Sequence, residues 1–161
     1  MRPEGPRYIA SSSGYTLVEL VLVLAILGIL AAFAAPRFFA QQPFDERGYA
    51  DAIAGALRAT QKAAIATGCP ARLVVDASGY RARLPAASGN GCAANDTSWS
   101  VPVPLPDGSA VEGTSRATVS PASATYLFSP AGTMPLSGPN LTVGVWTISV
   151  DPTTGYVAVT K

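Results

Sequence analysis

The strongest constraint on this chain is an apolar segment near its N-terminus. Residues 15–35 are a run of 21 residues whose only charged side chain is Glu19. A helix rises about 1.5 Å per residue, so a helix of this length spans roughly 30 Å, the thickness of a bilayer core. The mean hydropathy of the whole chain, +0.28, is therefore weighted towards one end of the sequence.

Three interpretations compete for this segment: a cleaved secretory signal peptide, a plain membrane anchor, and a segment whose function uses Glu19. An ordinary signal peptide has a shorter apolar region, about 7–15 residues, before a small-residue cleavage site, which the Ala-rich residues 31–35 could imitate. An unpaired carboxylate inside a membrane helix costs several kcal/mol, unless it lies near the helix end and reaches the interface. Signal peptides and plain anchors gain nothing from that cost, so Glu19 favours the third interpretation.

The local sequence around Glu19 resembles a known processing motif. Gly14-Tyr15-Thr16-Leu17-Val18-Glu19 is similar to the prepilin motif of type IV pilins and pseudopilins. The resemblance implies that a prepilin peptidase cleaves between Gly14 and Tyr15 and methylates the new amine of Tyr15, which stands where the family usually has phenylalanine. It also implies that Glu19 pairs with the N-terminal amine of a neighbouring subunit during assembly, which relieves two buried charges at once.

The resemblance sets an order of segments along the first part of the chain. Residues 1–14 are expected to be a cleaved cytoplasmic leader, whose two arginines agree with the positive-inside rule. Residues 15–35 are expected to be the transmembrane half of a long helix, and residues 36–68 its amphipathic half. Pro36 lies where pilins often carry a helix-bending proline. Apolar residues mostly four apart follow it, and Gly68 is the predicted C-cap.

Residues 69–161 are predicted to form a periplasmic antiparallel β domain. Short β-prone runs alternate there with turn residues rich in Gly, Pro, Ser and Thr. The prolines at 102 and 104 indicate that one run is an edge strand. The predicted strands are residues 71–76, 79–84, 99–103, 125–129, 141–150 and 156–160. The fold class is therefore α+β, and the resemblance implies a long helix packed on two antiparallel sheets.

Further segments narrow the resemblance. They look like the minor pilins of the mannose-sensitive haemagglutinin pilus (the C component), and the same core is similar to the minor pseudopilin H of type II secretion. The matching segments are residues 36–39, 44–49, 56–58, 61–66, 146–150 and 154–155. The implied function is a minor pilin of the bacterial inner membrane that joins a type IV pilus, with a type II secretion pseudopilin as the alternative. The implied partners are other pilins or pseudopilins, the prepilin peptidase, the assembly platform and membrane lipid.

The two cysteines, Cys69 and Cys92, are expected to form a disulfide. An exported domain lies in an oxidising compartment. The closed loop of about two dozen residues corresponds to roughly 3 kcal/mol in the chain-entropy estimate. The alternative is a pair of free buried thiols.

Other classes of site are less favoured by the sequence. Histidine is absent, which excludes a Ser-His-Asp triad and a His-ligated zinc. The sequence also shows no P-loop, no convergent acid pair and no EF-hand-type carboxylate loop, so no enzyme, cofactor or metal is expected. Arg81 and Arg83 share one face of a predicted strand, with Arg72 nearby, and some related pilins bind DNA. The C-terminal residues 157–161 carry only one lysine. A nucleic acid partner or an adhesive role is therefore not favoured, and the three arginines are interpreted as solvated strand positions.

Overall fold

The computed structural model describes residues 14–38, 42–88, 91–92, 98–135 and 138–161. The chain divides after Ala40 into an N-terminal unit and a larger unit. The predicted leader lies outside the described residues except for Gly14, as do residues 39–41.

The described part of the N-terminal unit contains the helix α1 (Leu17–Phe38). Thr16 caps its first turn, because its hydroxyl accepts a hydrogen bond from the Glu19 backbone N–H at 3.2 Å. Pro36 lies inside α1, where its backbone is helical. None of the helices among the described residues combines the length and the hydropathy that crossing a bilayer requires.

The larger unit begins with a second helix, α2 (Gln42–Thr67). One face of α2 is buried, and the fully buried hydroxyl of Thr60 donates to the Ala56 carbonyl at 2.7 Å. The helix stops where Gly68 takes a left-handed φ of +64°, which confirms the predicted glycine C-cap. The buried residues of α2 are Tyr49, Ala50, Ile53, Ala54, Ala56, Leu57, Thr60 and Ala64.

Eleven strands follow in the described residues, and all of their pairings are antiparallel. Sheet I has the order β5-β2-β1-β8 with β6 also on β2; sheet II has the order β11-β10-β9-β7; β3 and β4 form a separate hairpin. The strands are β1 (Ala71–Asp76), β2 (Gly79–Leu84), β3 (Ala87–Ser88), β4 (Gly91–Cys92), β5 (Val101–Pro102), β6 (Glu112–Thr114), β7 (Val119–Ser120), β8 (Ala124–Phe128), β9 (Leu141–Val143), β10 (Trp146–Val150) and β11 (Val157–Thr160).

Helix α2 packs against both sheets and thereby forms the core. Alternate residues of each strand point towards the helix, since side chains alternate between the two faces of a strand. The largest fully buried side chains include Tyr49, Ile53 and Leu57 of α2, Leu73, Tyr126 and Phe128 of sheet I, and Leu141 and Ile148 of sheet II. The predicted α+β class, a helix on two antiparallel sheets, is confirmed.

Two predicted strands differ from the structure. The run at residues 141–150 was expected to be one strand, but a turn at Gly144 separates β9 from β10. Gly144 has a φ of +58°, and a Cβ there would lie 1.9 Å from a carboxylate oxygen of Glu46 on α2. The strand expected at residues 99–103 shortens to β5, because Trp99 has a φ of +49°, outside the β region. β5 lies at the edge of sheet I, as the prolines at 102 and 104 indicated.

Candidate assembly site

The residues of the predicted processing motif lie at the start of α1. Gly14, Tyr15 and Thr16 precede the helix, and Glu19 lies in its first turn. Tyr15 is 80% exposed, and the Glu19 carboxylate forms no ion pair with any described residue. Both groups are therefore accessible to another molecule. The roles implied for Gly14, Tyr15, Glu19 and Pro36 stay predictions.

Gly14 has open space beside its Cα in the described part of the chain. A Cβ added there would meet no described atom within 4 Å. Glycine is usually needed where φ is positive or where another group approaches the backbone closely. No close approach by a described residue explains this glycine, and the requirement that the resemblance implies for it stays a prediction.

Helix α1 presents large apolar side chains to its surroundings. Leu17 is 78% exposed, and Leu24 and Leu30 are each 59% exposed. A helix that is apolar around its whole circumference needs a cover of lipid or protein, because such a surface is unfavourable in water. The surface of α1 thus fits an environment supplied by other molecules.

The structure joins Cys69 to Cys92, as the sequence predicted. Their Cα atoms are 5.6 Å apart, and the two residues are 23 positions apart in the sequence. The bond ties the C-terminal end of α2 to β4. The hairpin β3–β4 is thereby attached to the helix as well as to its own chain neighbours.

The three arginines noted in the sequence lie on the outer face of sheet I. The β1–β2 register places Arg72 opposite Arg83, and the inward positions of both strands are buried. Arg81 contacts Asp76 at 2.6 Å, and Arg83 contacts Glu112 at 2.9 Å. The shared face is confirmed, but the sequence did not reveal the two carboxylate partners. Asp76 lies at the end of the same hairpin and could have been found, whereas β6, which carries Glu112, has no recognisable pattern.

Three aspartates cap turns rather than gather at one site. Hydrogen bonds from Ser78 lower the pKa of Asp76, and those from Ser109 lower the pKa of Asp107. Hydrogen bonds from Thr154 and Thr153 lower the pKa of Asp151. Among the described residues, no group of three or more His, Cys, Asp or Glu side chains could hold a metal ion.

Comparisons with known proteins agree with the N-terminal motif. The prokaryotic N-terminal methylation motif matches residues 9–35. The chain is 43% identical over 56 residues to the type IV narrow pilus major component PilA5 of Thermus thermophilus. That match covers 35% of this chain and 47% of the relative, so the chain spans about half the length of the curated relative. No solved structure matches it significantly. With this motif at the start of α1 and a helix packed on two antiparallel sheets, the chain is similar to the type IV pilins.

Proposed function

We propose that this chain is a minor pilin, a structural subunit that is processed after Gly14 and assembles into a type IV pilus. The observation that carries the proposal is the methylation motif over residues 9–35, which contains Glu19 five positions after Gly14. A prepilin peptidase would cleave after Gly14 and methylate the amine of Tyr15. The exposed apolar surface of α1 supports insertion in the bacterial inner membrane before assembly, with the β domain in the periplasm.

Assembly gives the Glu19 carboxylate a role that the single chain does not provide. A carboxylate in an apolar assembly is costly unless a positive group pairs with it. Cleavage would create such a group at Tyr15 of each subunit. Glu19 would therefore fix the position of a subunit against its neighbour, while Pro36 would adjust the path of the helix.

The processing step can be tested with the full chain co-produced with a prepilin peptidase. We expect the mature chain to start at methylated Tyr15 by intact mass, and Gly14→Ala to keep its leader by gel mobility and mass. Gly28→Ala is the matched control, because Gly28 also has no atom within 4 Å of an added Cβ and lies in α1. An unchanged processed band for Gly14→Ala would contradict the proposal.

The assembly role of Glu19 has a separate test. Glu19→Ala should be cleaved like the wild type, because the cleavage site is intact, yet it should enter filaments poorly. Asp45→Ala serves as the control, since Asp45 is an exposed acid of α2. Filament content is measured by immunoblotting sheared filaments against whole cells. Normal incorporation of Glu19→Ala would rule out this role.

A type II secretion pseudopilin is the alternative function. The relative from Thermus thermophilus is named as a pilus component, which supports a role in a pilus over a role in type II secretion. Deletion of the gene in its host should reduce surface filaments and leave protein secretion unchanged. Loss of secreted proteins with normal surface filaments would favour the alternative.

A further inference from the structure

The outer face of sheet I contains an arginine that has no counterion among the described residues. Arg81 and Arg83 are neutralised by Asp76 and Glu112. Arg72, directly opposite Arg83, forms no ion pair or hydrogen bond with any described residue. Like charges opposite each other on a sheet repel, and no carboxylate in the described part of the chain offsets this repulsion at Arg72.

The guanidinium of Arg72 is held in place by an aromatic ring. Its Cζ lies 4.9 Å from the ring centroid of Trp99, a cation–π contact. The Arg72 Nε is enclosed by protein and has no acceptor. This burial lowers the pKa of Arg72. The cation is therefore held against the ring, and Arg72 as a whole is half-buried rather than enclosed.

A second arginine of the chain also contacts a tryptophan ring, and it has a carboxylate partner as well. The Arg47 Cζ lies 4.2 Å from the ring centroid of Trp146. The Nε of Arg47 also donates to a carboxylate oxygen of Asp51 at 2.8 Å. Indole, guanidinium and carboxylate thus occur together on α2 and β10. On sheet I the indole and the guanidinium are present, and no carboxylate of a described residue joins them.

We propose that Arg72, held against Trp99, binds a carboxylate side chain presented by an acidic segment of a partner polypeptide. The carboxylate would approach the Nη end of the guanidinium, which offers two parallel N–H donors. The ligand would supply the counter-charge that Asp51, Asp76 and Glu112 supply to Arg47, Arg81 and Arg83.

A nucleic acid partner fits this face less well. Binding to a phosphate backbone depends on several cations that each neutralise a phosphate. The two arginines beside Arg72 are already paired with carboxylates of the same chain. A cation with no counterion in the described ranges suits a single carboxylate, and a protein surface can approach the sheet face directly.

The chain allows a direct optical test. It has two tryptophans, so Trp146→Phe leaves Trp99 as the only one. The full chain in this background, kept in mild detergent, is titrated with a hexaglutamate peptide while Trp99 emission is recorded. We expect a saturable change that Arg72→Gln weakens at least about tenfold and Arg81→Gln leaves unchanged. A hexaglutamine peptide should produce no change.

The proposal would be wrong if hexaglutamate produced no saturable change in Trp99 emission, or if Arg72→Gln and Arg81→Gln gave equal titrations. It would also be wrong if the protein bound oligothymidylate more tightly than hexaglutamate. Should Arg72→Gln fail to fold, Arg72→Lys keeps the charge and loses the paired N–H donors. We expect Arg72→Lys to bind the peptide more weakly than the wild type, and unchanged binding would also contradict the proposal.

Discussion

Two core tyrosines differ in whether their hydroxyl has a partner. The Tyr126 hydroxyl donates to the Pro139 carbonyl at 2.8 Å, and burial raises its pKa to about 12. The Tyr49 hydroxyl is enclosed without a hydrogen-bond partner. Burial raises the pKa of Tyr49, and the neighbouring Ser115 hydroxyl opposes that rise. Ser115 itself donates to the Ala117 carbonyl at 3.0 Å, so its hydroxyl proton is engaged there.

Replacing each of these tyrosines by phenylalanine should have opposite consequences. Tyr126→Phe should lower the free energy of unfolding by about 1 kcal/mol, because it leaves a carbonyl without its donor. Tyr49→Phe should leave that free energy unchanged or raise it, because it removes a polar group that is already unpaired. Urea unfolding of the full chain in detergent measures both. A loss for Tyr49→Phe equal to that for Tyr126→Phe would refute the difference.

The sequence predicted those features that depend on residue type and on near neighbours in the chain. Gly68 was predicted as the C-cap from the pattern that precedes it, and its φ of +64° ends α2 there. The pairing of Cys69 with Cys92 also followed from residue type and expected compartment. The isolation of Arg72 could not be predicted in this way. It depends on Trp99, which is 27 positions away and whose backbone conformation the strand pattern misjudged.

At the level of elements, long periodic segments were predicted better than short ones. The apolar stripe of α2 and the hairpin of β1 and β2 have enough residues to show a period. β6 and β7 have three and two residues, too few for any pattern. The break at Gly144 has a tertiary cause, because the Glu46 side chain of α2 occupies the space above that turn.

Gln61 of α2 connects two loops, and its replacement tests this connection. Its Nε2 donates to the carbonyls of Gly132 and Thr154, each at 2.9 Å. Gly155 packs directly against this amide, since a Cβ there would lie 2.2 Å from the Gln61 Nε2. We expect Gln61→Leu to lower the free energy of unfolding by about 1–3 kcal/mol, because two carbonyls lose their donor.

The control for this junction is Lys62→Leu, since Lys62 is the exposed next residue on α2. Chemical denaturation should show little change for Lys62→Leu. Hydrogen exchange should also locate the effect of Gln61→Leu in residues 129–134 and 151–156. Equal effects of the two substitutions on unfolding would show that the side-chain amide does not connect the loops.

At the scale of the whole molecule, the net charge and the apolar surface both favour association with other molecules. The proposed cleavage removes Arg2, Arg7 and Glu4, which leaves 9 basic and 9 acidic side chains. A net charge near zero promotes association. The apolar surface of α1 also favours association, because it needs a cover. Both properties suit a subunit that works in an assembly, and neither requires a catalytic group.

The pH dependence of stability should reflect the turn aspartates, since the chain has no histidine. The pKa values of Asp76, Asp107 and Asp151 are lowered in the folded state by hydrogen bonds to their carboxylates. A lowered folded pKa stabilises the protein above the unfolded value of about 3.9, and this contribution is lost as pH falls through the folded pKa. We expect the melting temperature to be flat between about pH 5 and pH 7 and to fall below about pH 4.

Asp151→Asn tests whether the turn aspartates cause this fall in melting temperature at acid pH. Asp151 Oδ1 accepts hydrogen bonds from the backbone N–H and hydroxyl groups of Thr153 and Thr154. Asparagine keeps an acceptor oxygen but cannot ionise, so the melting temperature of the variant should fall less steeply between about pH 4 and pH 2. Asp45→Asn is the control, because Asp45 caps no such turn in the described chain. This account would be wrong if the melting temperature of Asp151→Asn fell with pH as steeply as that of the wild type. A change in the melting temperature centred near pH 6 would also contradict it.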